Sequence, residues 1–283
     1  MEYYSHSQNY LNEKHLLATH LRQTAKLASS FACQQSYQSV FFATGLLHDL
    51  GKYQPEFQDY LENGGQRGSV PHSSWGAGFA RCKGLLEPSI VIDGHHKGLP
   101  DIAKWKSDTE PFKRQEVAEF ADIVKIYENE LGVDDDFWRQ IKIPEFNQPS
   151  QREAFIRYLF SAVTDSDWLS TEEHFDREAS KARICTTLPF TEMLNKIEEE
   201  FSKKSKDGEI NRLRNVARNQ VLQKAGRPCG FFSLALPTGM GKTLTSFAWA
   251  LNHARSNQLK RIIIVLPYIN IIGSSGFVVH RFN

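Results

Sequence analysis

Apolar side chains recur at helical spacing through most of the first 180 residues, while almost no stretch there alternates in the way a strand does. The spacing is clearest over residues 11–35, 38–50 and 151–170. In the last of these segments, Phe155, Leu159 and Val163 fall on one face of a helix. The first part of the chain is therefore predicted to be mainly α, folded as a helical bundle.

The pattern changes near residue 180. Residues 191–224 are charged and helical, and the short apolar runs at 231–236 and 262–266 have the composition of buried parallel strands. A helix predicted over 242–255 lies between those two runs. The order strand, turn, helix, strand is how an α/β domain begins, so we expect a partial α/β segment after the helical bundle.

The bulk composition is that of an ordinary soluble chain without a strong charge bias. Its 34 basic residues balance 33 acidic ones, so a broad electrostatic grip on nucleic acid is not expected, although a local basic patch is compatible. The four cysteines are scattered and form no CxxC pair, which indicates reduced thiols. With no signal-peptide pattern and no apolar run of about 18 residues, we expect a cytoplasmic monomer without a membrane partner.

Histidines and carboxylates stand inside or at the ends of the apolar helices, where charge is expensive to bury. The pair His48–Asp49 closes the second helix in the phrase GLLHDLGK, and a carboxylate there can bridge two ions with its two oxygens. A single histidine at a helix edge is more often a core residue, but further candidate ligands accompany this pair. They are His20 on the preceding helix, His72 at a helix start, His95 and His96 in a turn, and Asp165 and Asp167 at the end of an apolar helix. Imidazole and carboxylate ligands without thiolate suit divalent Mn, Fe, Co, Ni or Zn, and also Mg.

The order of these residues, H…HD…H…HH…D, resembles that of the HD phosphohydrolase superfamily. With the HH pair, HDLGK and the helix start at His72, Gly76 and Ala77, residues 10–178 look like the HD nuclease domain of the type I CRISPR-associated helicase-nuclease. The resemblance implies that Asp49 bridges two divalent transition-metal ions. It implies one ion on His20, His48 and the late aspartate, and the other on His72, His95 and His96.

Neighbouring residues compete for some of these positions. The family's phrase sets the late aspartate between a small and a bulky residue, which favours Asp167 over Asp165. His20 has the better downstream match to the family, so His15 is expected at the surface. Lys52 follows the family's GK, and it either contacts a phosphate of the substrate or is a solvated lysine at a helix end.

A second motif lies at residues 234–243, LALPTGMGKT, between a predicted strand and a predicted helix. Backbone amides of such a loop cradle phosphates, a lysine reaches the β- and γ-phosphates, and a threonine hydroxyl binds Mg²⁺. The strict spacing requires glycine where Leu236 stands, so the phrase instead matches the TGxGKT form of superfamily-two helicases and resembles the helicase part of the same CRISPR family. The candidate nucleotide-binding residues are Thr238, Gly239, Gly241, Lys242 and Thr243.

These features divide the chain into an HD nuclease domain at 1–185, a helical linker at 186–225 and an incomplete RecA-like helicase domain at 226–283. A helicase also needs an acidic box and a second domain that supplies arginines, and neither follows here. The residues after 272 do not read as the helix with which the family would continue, so we expect a disruption near Gly273. ATP and Mg²⁺ are then cofactors of the intact helicase only, and ATP hydrolysis by this chain is not expected.

The resemblance implies cleavage of single-stranded DNA in type I CRISPR interference, after recruitment by the Cascade-type crRNA surveillance complex. Asp49 and Lys52 are the candidate catalytic residues, and the two ions would clamp the phosphate and activate water. Trp75, Trp105 and Trp168 are candidates for stacking on bases, with surface packing the alternative for Trp105 and a core position expected for Trp168. Two other interpretations stay open: an HD phosphohydrolase of nucleotides or cyclic nucleotides, and a metal-stabilised binding remnant without catalysis.

Overall fold

A computed structural model describes residues 2–66, 68–182, 189–203 and 207–265. The chain divides into two compact units, Met1–Lys181 and Ala182–Asn283. The described residues are mainly helical, as the sequence predicts, and no helix among them is long and apolar enough to cross a membrane. The domain boundary predicted at residue 185 and the disruption expected near Gly273 lie outside the described residues.

A bundle of helices preceded by a short hairpin forms the first unit. Strand β1 (Tyr4–His6) pairs antiparallel with β2 (His15–Leu16), a small ribbon that the sequence pattern does not predict. The helices of this part of the chain are α1 (Leu17–Phe31), α2 (Gln38–Leu47), α3 (Pro55–Asn63), α4 (Ser73–Cys82), α5 (Leu86–Gly94), α6 (Ile102–Lys113), α7 (Phe120–Leu131), α8 (Asp135–Gln140), α9 (Pro149–Phe175) and α10 (Arg177–Ala182). Two 3₁₀ turns, Gln35–Tyr37 and Leu50–Tyr53, lie on either side of α2.

Helices α1, α2 and α9 pack together at the centre of this unit. The apolar stripe of α1, which includes Leu17, Leu21 and Ala25, is fully buried. At Gly45, helix α2 lies so close to α1 that an added Cβ would be 2.8 Å from Cα of Ala25, so this crossing requires glycine. Leu159 on α9 is also fully buried, and burial of such a side chain stabilises the fold by about 1.5–3 kcal/mol. This packing fixes the side chains that project from the helix ends.

The second unit contains α11 (Phe190–Ser202), α12 (Glu209–Leu222) and α13 (Lys242–Ser256). Helices α11 and α12 both pack on α13, and Ile197, Ala248 and Leu251 form a small buried core. Helix α13 corresponds to the helix that the sequence predicts after the phosphate loop.

The two strands predicted in this unit are not formed by its described residues. Residues 231–236 and 262–265 carry no strand, and Phe231, Ile263 and Val265 are exposed rather than buried. A buried parallel strand needs hydrogen-bonded neighbours for its backbone N–H and C=O groups, and no described segment pairs with either run. The strand prediction is therefore wrong for these residues; residue 266 lies outside them, and the RecA-like fold stays a prediction.

Candidate metal centre

Side chains with metal-binding groups project from the ends or inner faces of five packed helices: His20 from α1, His48 and Asp49 after α2, His72 before α4, His95 and His96 after α5, and Asp167 from α9. Gly51 lets the chain after Asp49 lie directly against the start of α4, because a Cβ there would meet the backbone oxygen of His72 at 2.3 Å. His20, His48 and Asp49 are fully buried. Burying such polar groups is costly unless a partner compensates them.

One set of groups surrounds Oδ2 of Asp49. The Nε2 atoms of His48 and His20 lie 3.2 and 3.4 Å from this oxygen. Oδ1 of Asp167 lies 3.2 Å from Nε2 of His20 and 3.6 Å from Nε2 of His48. These atoms all lie within 4.8 Å of one another and could hold one ion. We call His20, His48, Asp49 and Asp167 the Asp167 side of the centre.

A second set surrounds the other carboxylate oxygen of Asp49. Nε2 of His72 lies 3.3 Å from Oδ1, and Nε2 of His95 lies 3.5 Å from it. Nε2 of His96 faces Nε2 of His72 at 2.9 Å, and the His96 ring is exposed. We call Asp49, His72, His95 and His96 the His96 side. Asp49 belongs to both sets, with one oxygen toward each.

Hydrogen bonds at Nδ1 of two histidines determine which of their ring nitrogens is free to bind a cation. Nδ1 of His48 and Nδ1 of His95 each lie within hydrogen-bond distance of a backbone carbonyl of the preceding helix, at 2.8 and 2.6 Å. A carbonyl oxygen can only accept, so each Nδ1 donates its proton and Nε2 carries the lone pair. Nε2 of His20 lies 3.3 Å from Nε2 of His48. Two nitrogens on one tetrahedral zinc ion, with bonds of about 2.0–2.1 Å, are separated by about 3.3 Å.

Some buried polar atoms between the two sets have few partners of their own. Oδ2 of Asp49 pairs with the Lys52 ammonium at 2.7 Å, whereas buried Oδ1 accepts no hydrogen bond from the described residues and faces only the Nε2 atoms of His72 and His95. Nε2 of His95 is likewise buried without a hydrogen-bond partner among them. Unsatisfied buried acceptors are rare in folded proteins, and a divalent ion satisfies several at once. The residues on both sides of Asp49 therefore fit divalent cations.

The two sides differ in their electrostatics. Burial alone would raise the pKa of Asp49, but its cationic neighbours, His48 foremost, hold that pKa well below its usual range. Burial lowers the pKa of His48, yet the carboxylates of Asp49 and Asp167 more than reverse this and raise it to about 10. Burial lowers the pKa of His72 and brings that of His96 down to about 3. At neutral pH the Asp167 side thus attracts a proton or a metal ion, while His72 and His96 on the other side are neutral imidazoles.

Lys52 lies inside this centre rather than at the surface. It is 5% exposed, and its Nζ lies 2.7 Å from Oδ2 of Asp49. It also donates to the backbone oxygen and to Oγ of Ser5 on β1, both at 3.2 Å. The interpretation of Lys52 as a solvated helix-end lysine is therefore wrong, because the ion pair and the hairpin hold it inward. A contact between Lys52 and a substrate phosphate stays a prediction.

Asp165 and His15, the two alternatives to the favoured ligands, both lie outside the two ligand sets around Asp49. Asp165 is exposed and belongs to neither set, whereas Asp167 faces the histidines. The two differ because residues two apart on a helix point in different directions. The expectation of a surface position for His15 is wrong, because it is 7% exposed and its ring stacks on His174 with centroids 4.5 Å apart.

A further cluster of histidines lies beside the centre, and the sequence pattern does not predict it. Nδ1 of His6 lies 3.1 Å from Nδ1 of His15, the distance of an N–H···N hydrogen bond, and the His6 ring packs edge-on against His20. Burial lowers the pKa of His15 to about 3, so the pair is neutral. The hairpin of β1 and β2 brings these rings together, and its two short strands give no alternating signal by which the sequence could have shown it.

The three candidate tryptophans lie in different surroundings. Trp105 is buried and its Nε1 donates to Oγ of Ser89 at 2.8 Å, so neither base stacking nor surface packing describes it. Trp75 packs against the ring of Phe112. Trp168 is 75% exposed, which makes the expected core position wrong: it follows Asp167 on α9, and that step turns its side chain to solvent.

In the second unit, the phosphate-loop residues form a turn that leads into α13. Gly239 and Gly241 have φ of +83° and +76°, in the left-handed region, and α13 begins at Lys242. Nε of Arg214 on α12 donates to the backbone oxygen of Gly239 at 2.8 Å. The turn and α12 border a cavity of about 340 Å³, and Lys242 is exposed beside it. Nucleotide binding by Thr238, Gly239, Gly241, Lys242 and Thr243 stays a prediction.

A helical bundle in which a His–Asp pair, further histidines and a late aspartate enclose one carboxylate defines a metal-dependent hydrolase of the HD class. The sequence profile of the family described as Cas3, HD domain, matches residues 10–175, more than half of the chain, and the chain belongs to this family. Membership marks the matched region as a CRISPR-associated HD nuclease domain. The match does not extend to the phosphate loop. A comparison with curated proteins found no match to the chain.

Proposed function

We propose that the first unit is a two-metal nuclease that cleaves single-stranded DNA in type I CRISPR interference, in the cytoplasm. The observation that supports this most is the arrangement at Asp49, whose two oxygens face two separate sets of imidazole and carboxylate groups. Divalent ions bound to both sets would clamp a scissile phosphate and lower the pKa of a bound water.

The protein's own residues have distinct tasks in this centre. Asp49 stays ionised at neutral pH and presents one oxygen to each set. The backbone acceptors behind His48 and His95 keep both rings turned with Nε2 toward Asp49. The ammonium of Lys52 balances the buried carboxylate at Oδ2. A substrate phosphate would approach from the side of His96, whose ring is exposed.

The preference for a single strand is supported by Trp168. Its exposed indole directly follows Asp167 in the chain, and a flat aromatic ring at such a position stacks on an unpaired base. Stacking of this kind is worth about 1–3 kcal/mol per base and requires a base that is not already stacked in a duplex.

The test is a substrate panel with the full chain and Mn²⁺ or Ni²⁺: single-stranded DNA, duplex DNA, deoxynucleoside triphosphates and a cyclic dinucleotide. We expect cleavage of the single strand, with the duplex and the nucleotides intact. Turnover of nucleotides beside an intact single strand would instead establish the HD phosphohydrolase, which membership of the nuclease family does not favour. Full metal content without cleavage of any substrate would establish a binding remnant.

We also propose a helicase role for the second unit and a Cascade-type crRNA surveillance complex as partner. ATP and Mg²⁺ would bind at the turn before α13, where the left-handed glycines and the helix start favour phosphate. A fluorescent ATP analogue should bind this chain, and Lys242→Ala should abolish that binding. Co-sedimentation with a surveillance complex on its target DNA tests the partner.

A further inference from the structure

His20 differs from His48 in the group that contacts Nδ1, the ring nitrogen directed away from Asp49. Nδ1 of His48 is held by a backbone carbonyl, whereas Nδ1 of His20 lies 3.0 Å from the hydroxyl of Ser170 on α9. Ser170 is fully buried, and its hydroxyl donates to Oε1 of Gln23 on α1 at 3.1 Å. The partner of this ring nitrogen is therefore a side chain 150 residues further along the chain.

The direction of these hydrogen bonds follows from proton counting. The serine hydroxyl has one proton, and it goes to Gln23, because an amide oxygen only accepts. Ser170 must then accept the proton on Nδ1 of His20. That leaves the lone pair of His20 on Nε2, which faces Oδ2 of Asp49 at 3.4 Å and Oδ1 of Asp167 at 3.2 Å.

We propose that Ser170 is a positioning residue that keeps His20 in its metal-binding tautomer, with Gln23 as the group that orients the serine. Without Ser170, the His20 ring can carry its proton on Nε2 and donate it to Asp49 or Asp167. That tautomer places an N–H group where an ion would bind, so the proton must move back to Nδ1 before His20 can bind an ion. The inference rests on the proposed metal centre and adds the residue that tunes its Asp167 side.

Ser166 provides a matched control on the same helix. It lies one turn before Ser170 and is equally buried, but its hydroxyl donates to the backbone oxygen of Ala162 within α9. Serine-to-alanine changes at the two positions remove the same atom from the same helix. Only the change at Ser170 removes a partner of a candidate ligand.

The experiment titrates the metal-free full chain with Zn²⁺ against a chelator. We expect Ser170→Ala to weaken one of the two ions by about 10–100-fold and to leave the other unchanged, whereas Ser166→Ala keeps both within about twofold of the wild type. In the metal-free protein, ¹⁵N NMR should show a protonated Nδ1 on His20, and Ser170→Ala should shift the population toward protonated Nε2.

Gln23→Ala, at a half-buried position, keeps the inference testable if Ser170→Ala does not fold, and should weaken the same ion by a smaller factor. Unchanged binding of both ions by Ser170→Ala, or an equal loss in Ser166→Ala, overturns the positioning role. A wild-type chain that binds no ion at all overturns the metal centre itself, an outcome distinct from either of these.

Discussion

Asp49 makes both sides of the metal centre depend on one carboxylate. Asp49→Asn preserves the side-chain shape but removes the charge and one of the two shared oxygens. We expect this variant to hold at most one ion and to cleave single-stranded DNA at least about 100-fold more slowly, because both ligand sets lose a member. Elemental analysis after dialysis counts the ions, and a gel assay measures cleavage.

The control for this change is Asp165→Asn. Asp165 is exposed and outside both sets, so the variant should retain two ions and the wild-type rate. Two ions on Asp49→Asn would show that the carboxylate does not bridge.

His48 gives the two sides a different dependence on pH. Its pKa is raised to about 10 by Asp49 and Asp167, so at neutral pH an ion on the Asp167 side must displace a proton. Affinity on that side should therefore rise by about tenfold per pH unit between pH 6 and 8. The imidazoles of His72 and His96 are already neutral, because burial lowers their pKa, so an ion displaces no proton from these two ligands. Affinity on the His96 side should therefore rise less steeply with pH. Zn²⁺ titration at several pH values, against a chelator of known pH dependence, measures how the affinity of each ion changes with pH. The same pH dependence for both ions would contradict the prediction.

Trp168 is the residue with which we expect the substrate's bases to stack. Trp168→Ala should weaken binding of single-stranded DNA by about 5–150-fold, which corresponds to about 1–3 kcal/mol for one stacked base. Hydrolysis of a small chromogenic phosphodiester should not change, since that substrate has no base to stack. Phe31→Ala removes another exposed aromatic ring, at the far end of α1 from His20, and should affect neither measurement. A parallel loss on both substrates would point to a disturbed metal centre instead.

The sequence shows the metal-binding residue types well but their partners poorly. His48–Asp49 stands out because buried polar groups at the end of an apolar helix are costly and therefore conspicuous, and His95–His96 stands out as two adjacent histidines in a predicted turn. Ser170 and Gln23 carry no such signal, since a serine inside a helix is common, and their link to His20 depends on how α1 and α9 cross. The buried position of His15 depends on a hairpin of only a few residues.

At the level of elements, helical periodicity located the three central helices of the first unit but not their ends. The segments predicted at 11–35, 38–50 and 151–170 correspond to Leu17–Phe31, Gln38–Leu47 and Pro149–Phe175. The differences arise at the ends, where apolar spacing does not show which residues leave the helix to form the hairpin or the 3₁₀ turn before α3. The two apolar runs of the second unit share their composition with buried strands, and composition cannot supply the neighbouring strand that each would need.

The crossing of α1 and α2 connects this packing to the metal centre. Gly45 lies where the two helices touch, and its carbonyl oxygen also accepts the hydrogen bond from Nδ1 of His48. Gly45→Ala would place a Cβ 2.8 Å from Cα of Ala25, a backbone atom that cannot move away on its own. We expect a loss of about 1–3 kcal/mol in the free energy of unfolding, and weaker binding of the ion that His48 holds.

Urea unfolding of the metal-free protein measures the first effect and Zn²⁺ titration the second. Gly226→Ala is the control, because an added Cβ there meets nothing within 4 Å. An unchanged unfolding midpoint in Gly45→Ala would mean that α1 and α2 can accommodate the added Cβ with no loss in the free energy of unfolding.

At the level of the whole molecule, the two units hold the two motifs separately. Every group of the candidate metal centre lies within Met1–Lys181, together with the buried cores around α1, α2 and α9. The phosphate loop and α13 lie within Ala182–Asn283 and share their own smaller core. A unit with its own core and a complete ligand set is expected to fold by itself.

A fragment of residues 1–181 should therefore unfold cooperatively, bind two ions and cleave single-stranded DNA with a kcat/KM within about threefold of the full chain. The matching change in the full chain is Lys242→Ala, which alters the phosphate loop. It should leave cleavage unchanged, because no candidate ligand lies among the described residues of that unit. Thermal unfolding, elemental analysis and the cleavage assay measure the three properties on the same preparation. A fragment that folds and binds both ions but does not cleave would show that substrate binding requires the second unit. A fragment that loses the ions would show that the metal centre itself depends on residues beyond Lys181.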